Sequence, residues 1–436
     1  VAGSAPPLLR SAIAGGARAA RLSATVPPGH AATLRDVGCA VAGPLLSGFV
    51  LWTLLEARAR GLRRLYFVAR DGQVLLRIAQ LLLAATGWEV ECRYLHGSRQ
   101  AWHLPALERL DDAALDWLAA PESAEPLRKV LARAELGPDA IAPALRRHGL
   151  DGALDARPDR ARLAALLRDP EVEPLLLANA AARRRTTLGY LRQEGLFDGG
   201  PIGMVDVGWH GRLQRSLHRL LVAEGAPPPL GLYLGLVSRP ADLPPDALHA
   251  WLAQAATVNP VLLEIFCAAD HGTTRGYEAG PDGRLRPVLA EAVDRRVLDW
   301  GLAALQDGAV AFAGELAAAL ARHPDHGPEA WEGALRQAAP AAFDLFRREP
   351  DPAEAEAFGS FPHADGQTHD AWAECAPRPP LLGRLRLGLG LRDPAYAGHW
   401  PEGSIRRGGG AVAEGLFALR RLRRRLQGRA DPRPAP

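Results

Sequence analysis

Asp71 and Asp206 each close a run of apolar, largely β-prone residues: LYFVARDGQ at Leu65–Gln73 and IGMVDVGWHG at Ile202–Gly211. A helical pattern follows each run. In an open α/β sheet, ligands settle outside the carboxyl ends of parallel strands, where strand order reverses. Two carboxylates at such ends could converge on one crevice, hold a metal ion there, or carry an acid/base step. Arg70 adds a guanidinium beside Asp71, Gly72 permits a tight turn, and the start of the next helix offers backbone N–H groups to an anion. The competing structural role for Asp71 is to cap the helix that starts near Gln73.

The segment ending in His96-Gly97-Ser98-Arg99 supplies a hydroxyl and a guanidinium, both natural phosphate ligands. Ser98 could equally cap the segment before Trp102. In the second run, Gly208 and Gly211 leave room for close approach of a ligand to the backbone, while Trp209 and His210 could stack on it or bond to it. Weaker candidates are Glu264 and His271 in LLEIFCAADHG, and the cluster Arg183, Arg184 and Arg185, for which a solvated helix face is the simpler reading. No GxxxxGK[ST], GxGxxG, HExxH or GxSxG pattern occurs, so P-loop, nicotinamide, zincin and serine-hydrolase chemistry have no support.

The elements that must position these residues form an α/β pattern. After a loose lead-in at 1–34, a helical stretch runs from Leu34 to about Arg60. A strand at Leu65–Val68, a helix at Gln73–Ala85 and a strand at Val90–Leu95 then make a βαβ unit, with Gly87 as the helix C-cap. The first half of the α/β domain spans 35–102. Residues 103–195 read as a helical insertion, and 196–240 complete the domain with a strand at Ile202–Val205, a helix at Gly211–Glu224 and a strand at Gly231–Val237. Residues 241–349 read as a helical region with a hairpin turning at Pro-Asp-Gly and a long helix over Leu289–Arg322. Residues 350–436 read as a Pro/Gly-rich region ending in a basic helix at Gly415–Arg429 and a disordered Asp-Pro-Arg-Pro end. The fold class expected is therefore α/β, a Rossmann-like parallel sheet with a large helical insertion and a mainly helical C-terminal region.

Composition narrows the function classes. Among 436 residues, hydrophobic types make up 48% and charged types 23%, an ordinary globular balance. A net charge of +3 gives no whole-protein basic field of the kind that binds nucleic acid. Lys129 is the only lysine, so arginine abundance alone carries no argument. Cys39, Cys92, Cys267 and Cys375 lie far apart with no CxxC pair, which points to a reducing cytoplasm rather than a disulfide or zinc framework. Val37–Leu55 has 19 residues without a charge, about the minimum for a membrane span. Its Pro44 and its glycines favour a buried helix instead. Val1 at the start and Met204 as the only methionine suggest that a segment precedes this chain.

Five segments, YFVARDGQVLLRIAQ, RYLHGSRQAWHLPAL, VDVGWHGRLQRSL, LLEIFCAADHGTTRGYE and HWPEGS, resemble in that order a group of large bacterial proteins described as hydrolases of the haloacid dehalogenase superfamily. Those proteins are linked with surface-polysaccharide synthesis and glycosyltransferases. The resemblance covers roughly Gly38–Gly408. It implies a magnesium-dependent hydrolase or phosphotransfer enzyme acting on a phosphorylated sugar or nucleotide. Asp71 and Asp206 would then hold Mg²⁺ or carry the acid/base step, with Arg70, Gly72, Ser98, Arg99, Gly208, Trp209 and His210 on phosphate and substrate. One of Arg183–Arg185 could be the family's basic residue. The chain departs from the family where a nucleophilic Asp belongs, because Ala69 stands there. Two alternatives follow: a phosphoribosyl or nucleotide-sugar transferase, and a non-catalytic module partnering a glycosyltransferase. Through the basic tail, peripheral contact with anionic lipid is a further expectation.

Overall fold

Parallel strands are buried on both faces and therefore read as near-continuous apolar runs. The computed structural model describes residues 6–119, 125–252, 259–290, 295–365, 371–391 and 393–430. It contains five such strands: β1 (Arg64–Val68), β2 (Glu91–Leu95), β3 (Ile202–Trp209), β4 (Leu230–Leu236) and β5 (Leu248–Leu252). They form one parallel sheet in the order β2-β1-β3-β4-β5. This is the expected Rossmann-like α/β architecture. The order reverses between β1 and β3, the position at which open α/β sheets bind ligands outside the carboxyl ends of their strands.

Side chains alternate across the sheet. Leu65, Phe67, Val205, Val207, Leu232 and Leu234 join a core that includes the helices Gly72–Thr86, Leu302–Arg322 and Pro328–Arg348. Tyr66, Val68 and Met204 join a second core with Trp102, Leu188, Leu191, Leu217 and Leu220 on the opposite face. The insertion has its own hydrophobic cluster, from Leu104 through Leu145 and Leu167 to Ala180. Its return to the sheet is fixed by Arg64, only 4% exposed, which donates to Tyr66, the Gly195 carbonyl, Asp198 and Glu91.

Several expectations change in detail. Part of the 1–34 lead-in is ordered: Pro7–Leu22 is a helix that buries Leu9, Ile13 and Ala20. The apolar stretch Val37–Leu55 lies in a helical run over His30–Ala59, long and apolar enough to cross a membrane by length and composition. Here it is mostly buried within the protein, against Leu302–Arg322 and Pro328–Arg348. The helix expected over Leu289–Arg322 divides instead. Leu289 ends β7 (Leu285–Leu289), which pairs antiparallel with β6 (Thr274–Ala279), and the helices Arg295–Trp300 and Leu302–Arg322 meet at Gly301 (φ +111°). The Pro/Gly-rich region contains the helices Pro352–Gly359, Leu381–Leu389 and Pro401–Arg407 before the basic helix Gly410–Ala430. The Asp-Pro-Arg-Pro end lies outside the described residues.

Candidate functional site

β3 continues beyond Val205 to Trp209, so Asp206 sits inside the strand, opposite Tyr233 of β4, rather than at its end. Asp71 follows β1 after a two-residue turn. Gly72 makes that turn possible: a Cβ there would lie 2.5 Å from the Phe67 carbonyl carbon. The turn therefore folds directly back onto its own strand and leaves Asp71 at the strand end. The peptides Ala69–Arg70 and Gly208–Trp209 are both cis.

The geometry separates the two roles open to Asp71. It occupies the N-cap position of the helix Gly72–Thr86, yet its carboxylate makes no capping hydrogen bond. Burial, then the charges of Asp206 and Glu264, push its pKa well above the usual carboxylate range, against the opposing pull of Arg70 and Arg99. Asp206, 9% exposed, is pushed up to about 7, first by burial and also by Glu264, while the Val207 and Gly208 N–H groups pull it down. A third carboxylate thus joins the pair. Glu264 lies on the helix Pro260–Phe266 and accepts the Trp209 indole N–H at 2.9 Å. The fully buried Cys267 behind them reports the same convergence: its thiol is raised by burial and then by Asp71, Glu264 and Asp206 together.

A rim of polar residues adjoins the carboxylates. Gln73 donates to Asp270 at 2.7 Å and accepts from its backbone N–H. His271 is bonded from Nδ1 to the Gly272 carbonyl, which leaves Nε2 to accept the Tyr94 hydroxyl at 2.7 Å. The His96 and His271 rings are 5.2 Å apart, and burial followed by His271 lowers His96 to about 4. Its Nδ1 is buried without a hydrogen-bond partner. Tyr94 and His96 were not singled out in the sequence. The available signal was their i, i+2 spacing around Leu95, which puts both on one face at the carboxyl end of β2.

Other sequence candidates have structural occupations. Ser98 accepts the Ala101 N–H at 3.0 Å as a helix cap and donates to the Thr274 carbonyl at 2.5 Å. Gly208 (φ +144°) is required by the sheet: a Cβ would lie 2.1 Å from the Gly235 carbonyl oxygen of β4. At Gly211 (φ +62°) a Cβ would meet the Leu248 side chain at 2.5 Å, and His210 bonds Ser238 at 2.8 Å. Arg183 pairs with Glu135, while Arg184 binds the carbonyls of Pro105 and Leu107 and the carboxylate of Glu108. These two arginines hold the insertion together. By contrast, the Arg70 guanidinium makes no hydrogen bond or ion pair among the described residues, and Arg99 acts on both Asp71 and Asp206.

The donor set suits a hard cation. Asp71 and Asp206 offer carboxylate oxygens whose mutual repulsion a divalent ion would relieve. Among the described residues, no three His, Cys, Asp or Glu side chains are spaced to hold a metal jointly. No protein-family model matches the chain, and no curated protein matches it.

Proposed function

We propose that this chain is a Mg²⁺-assisted hydrolase or phosphotransfer enzyme acting on a phosphorylated sugar or nucleotide, as its resemblance to haloacid dehalogenase hydrolases of surface-polysaccharide synthesis implies. One observation carries the reading: Asp71 stands at a helix start without capping it, half-buried and electrostatically coupled to the buried Asp206 at the switch point of the sheet. Two carboxylates held close at such cost are better explained by a ligand than by stability. Asp71 and Asp206 would hold the ion, which would polarise a phosphoryl oxygen. Arg70 and Arg99 would meet the phosphate. With a proton shared between them, Asp71 and Asp206 could also exchange one with substrate near neutral pH.

A non-catalytic binding module is the second reading. Ala69 occupies the nucleophile position, and the Ser98 hydroxyl is already committed to Ala101 and Thr274.

The test is thermal melting with and without Mg²⁺, then with sugar phosphates and nucleotide sugars. A ligand at 100 times its Kd adds about 2.7 kcal/mol. A Mg²⁺-dependent rise that vanishes in Asp71→Asn and Asp206→Asn supports the site. Turnover of phosphate with a panel of sugar phosphates separates the enzyme from the module, and binding without turnover favours the module.

A further inference from the structure

The C-terminal helix pair exposes large apolar side chains that the fold does not use. In the helix Gly410–Ala430, the spacing of Val412, Leu419, Leu422 and Leu426 places them along one stripe, and Leu422 and Leu426 are 54% and 56% exposed. The opposite face, with Ala413, Leu416 and Phe417, packs into a small core with Leu387 and Ile405. The adjoining helix Leu381–Leu389 repeats the arrangement. Gly388 lies against Leu416, so close that a Cβ would be 2.5 Å away, while Leu382, Leu385 and Leu389 face outward at i, i+3 and i+7. Arg420 and Arg423 donate to the Leu387, Gly388 and Leu389 carbonyls and so lock the two helices side by side. The two leucine rows therefore adjoin.

Charge identifies what covers them. From Gly415 to Arg429 the chain has six arginines and no acid. Arg420 pairs with Glu402, and Arg421 and Arg424 pair with Glu349, so the exposed guanidiniums beside the stripe are those of Arg423 and Arg425. Helical spacing puts Arg423 and Arg425 on the two flanks of the Leu422–Leu426 stripe, and both are exposed. The exposed apolar face is aliphatic, without the aromatic anchors that carry protein–protein interfaces. Leucines flanked by arginines are the pattern of a helix lying in a lipid headgroup region, with aliphatic side chains dipped in and guanidiniums at the phosphates.

We infer that the face formed by Leu381–Leu389 and Gly410–Ala430 docks on an anionic lipid bilayer. The test is flotation of the whole chain with vesicles of phosphatidylcholine alone and with 30% phosphatidylglycerol. The expected result is recovery with the anionic vesicles only, reduced several-fold at 0.5 M salt, as screened charge contacts require. Leu422→Glu with Leu426→Glu should abolish binding, and Arg425→Glu should weaken it. Unchanged melting temperatures would show that these exposed changes leave the fold intact. Failure to float with anionic vesicles, or undiminished flotation of the double variant, overturns the inference. So does a concentration-dependent dimer that the double variant abolishes, since it would give this face to a second copy of the chain.

Discussion

The Trp209 indole donates to Glu264 across 2.9 Å, so the end of β3 fixes a carboxylate carried by the helix Pro260–Phe266. Trp209 is 8% exposed, and its N–H has no other partner among the described residues. Glu264→Ala strands that buried donor, which costs about 1–3 kcal/mol. Glu264→Gln keeps an acceptor in place and removes the charge that raises Asp71 and Asp206. Urea denaturation should therefore rank the alanine variant clearly below the glutamine variant. Equal stability of the two would mean that the bond does not hold this helix to the sheet.

Asp206 makes stability fall as pH rises. Its folded pKa of about 7 lies above the ordinary carboxylate value, so the folded state keeps a proton that the unfolded chain has lost. Its contribution is full in acid and is lost as pH climbs from about 4 to 7. Asp206→Asn should remove that loss and raise stability at pH 8 by roughly 2–4 kcal/mol, at about 1.4 kcal/mol per pKa unit. His96 and His103, both lowered by burial, act oppositely and oppose folding as pH falls below about 6.5. The difference between variant and parent, followed from pH 4.5 to 8.5, isolates the Asp206 contribution. A flat difference would show that Asp206 is not protonated in the folded protein.

The parts of the site legible in the sequence were those with local causes. Apolar runs ending at Asp71 and near Asp206 announced two parallel strands, and the helix after Gly72 followed from its own periodicity. Three features depended on distant chain. Glu264 reads as one acid on an apolar helix until Trp209 is brought to it. β5 carries little local signal, because Leu248–Leu252 is short and contains His249, and its pairing is set by β4. Gly208 suggested room for a ligand, whereas its role is to admit the Gly235 carbonyl, a contact that exists only once β3 and β4 are paired. Ser98 was open to two readings, and only the fold shows both of its bonds.

Gly208→Ala tests that sheet contact directly. The added methyl would meet the Gly235 oxygen at 2.1 Å, and φ of +144° disfavours any L side chain. Since both partners are backbone in a central pair of strands, neither can rotate away. A loss of about 3 kcal/mol or more is expected. Gly225→Ala is the control, because its φ of +73° is also positive but no atom lies within 4 Å. It should cost about 1 kcal/mol. Similar melting temperatures for the two variants would show that the strand contact is not what requires glycine at 208.

Magnesium and protons should compete for the same oxygens. With Asp206 near 7 and Asp71 also raised, binding an ion at pH 6 must displace at least one proton. Apparent affinity should then rise about tenfold per pH unit below 7 for each proton displaced, and level off above it. The Mg²⁺-induced rise in melting temperature should accordingly be small at pH 5.5 and large at pH 8. Asp206→Asn removes a ligand of the ion together with the titrating group and should abolish the rise at every pH. Arg425→Glu, far along the chain on the C-terminal helix, should leave the profile unchanged. A Mg²⁺ effect independent of pH in the parent chain would place the ion on ordinary surface carboxylates, already ionised throughout this range, and away from Asp71 and Asp206.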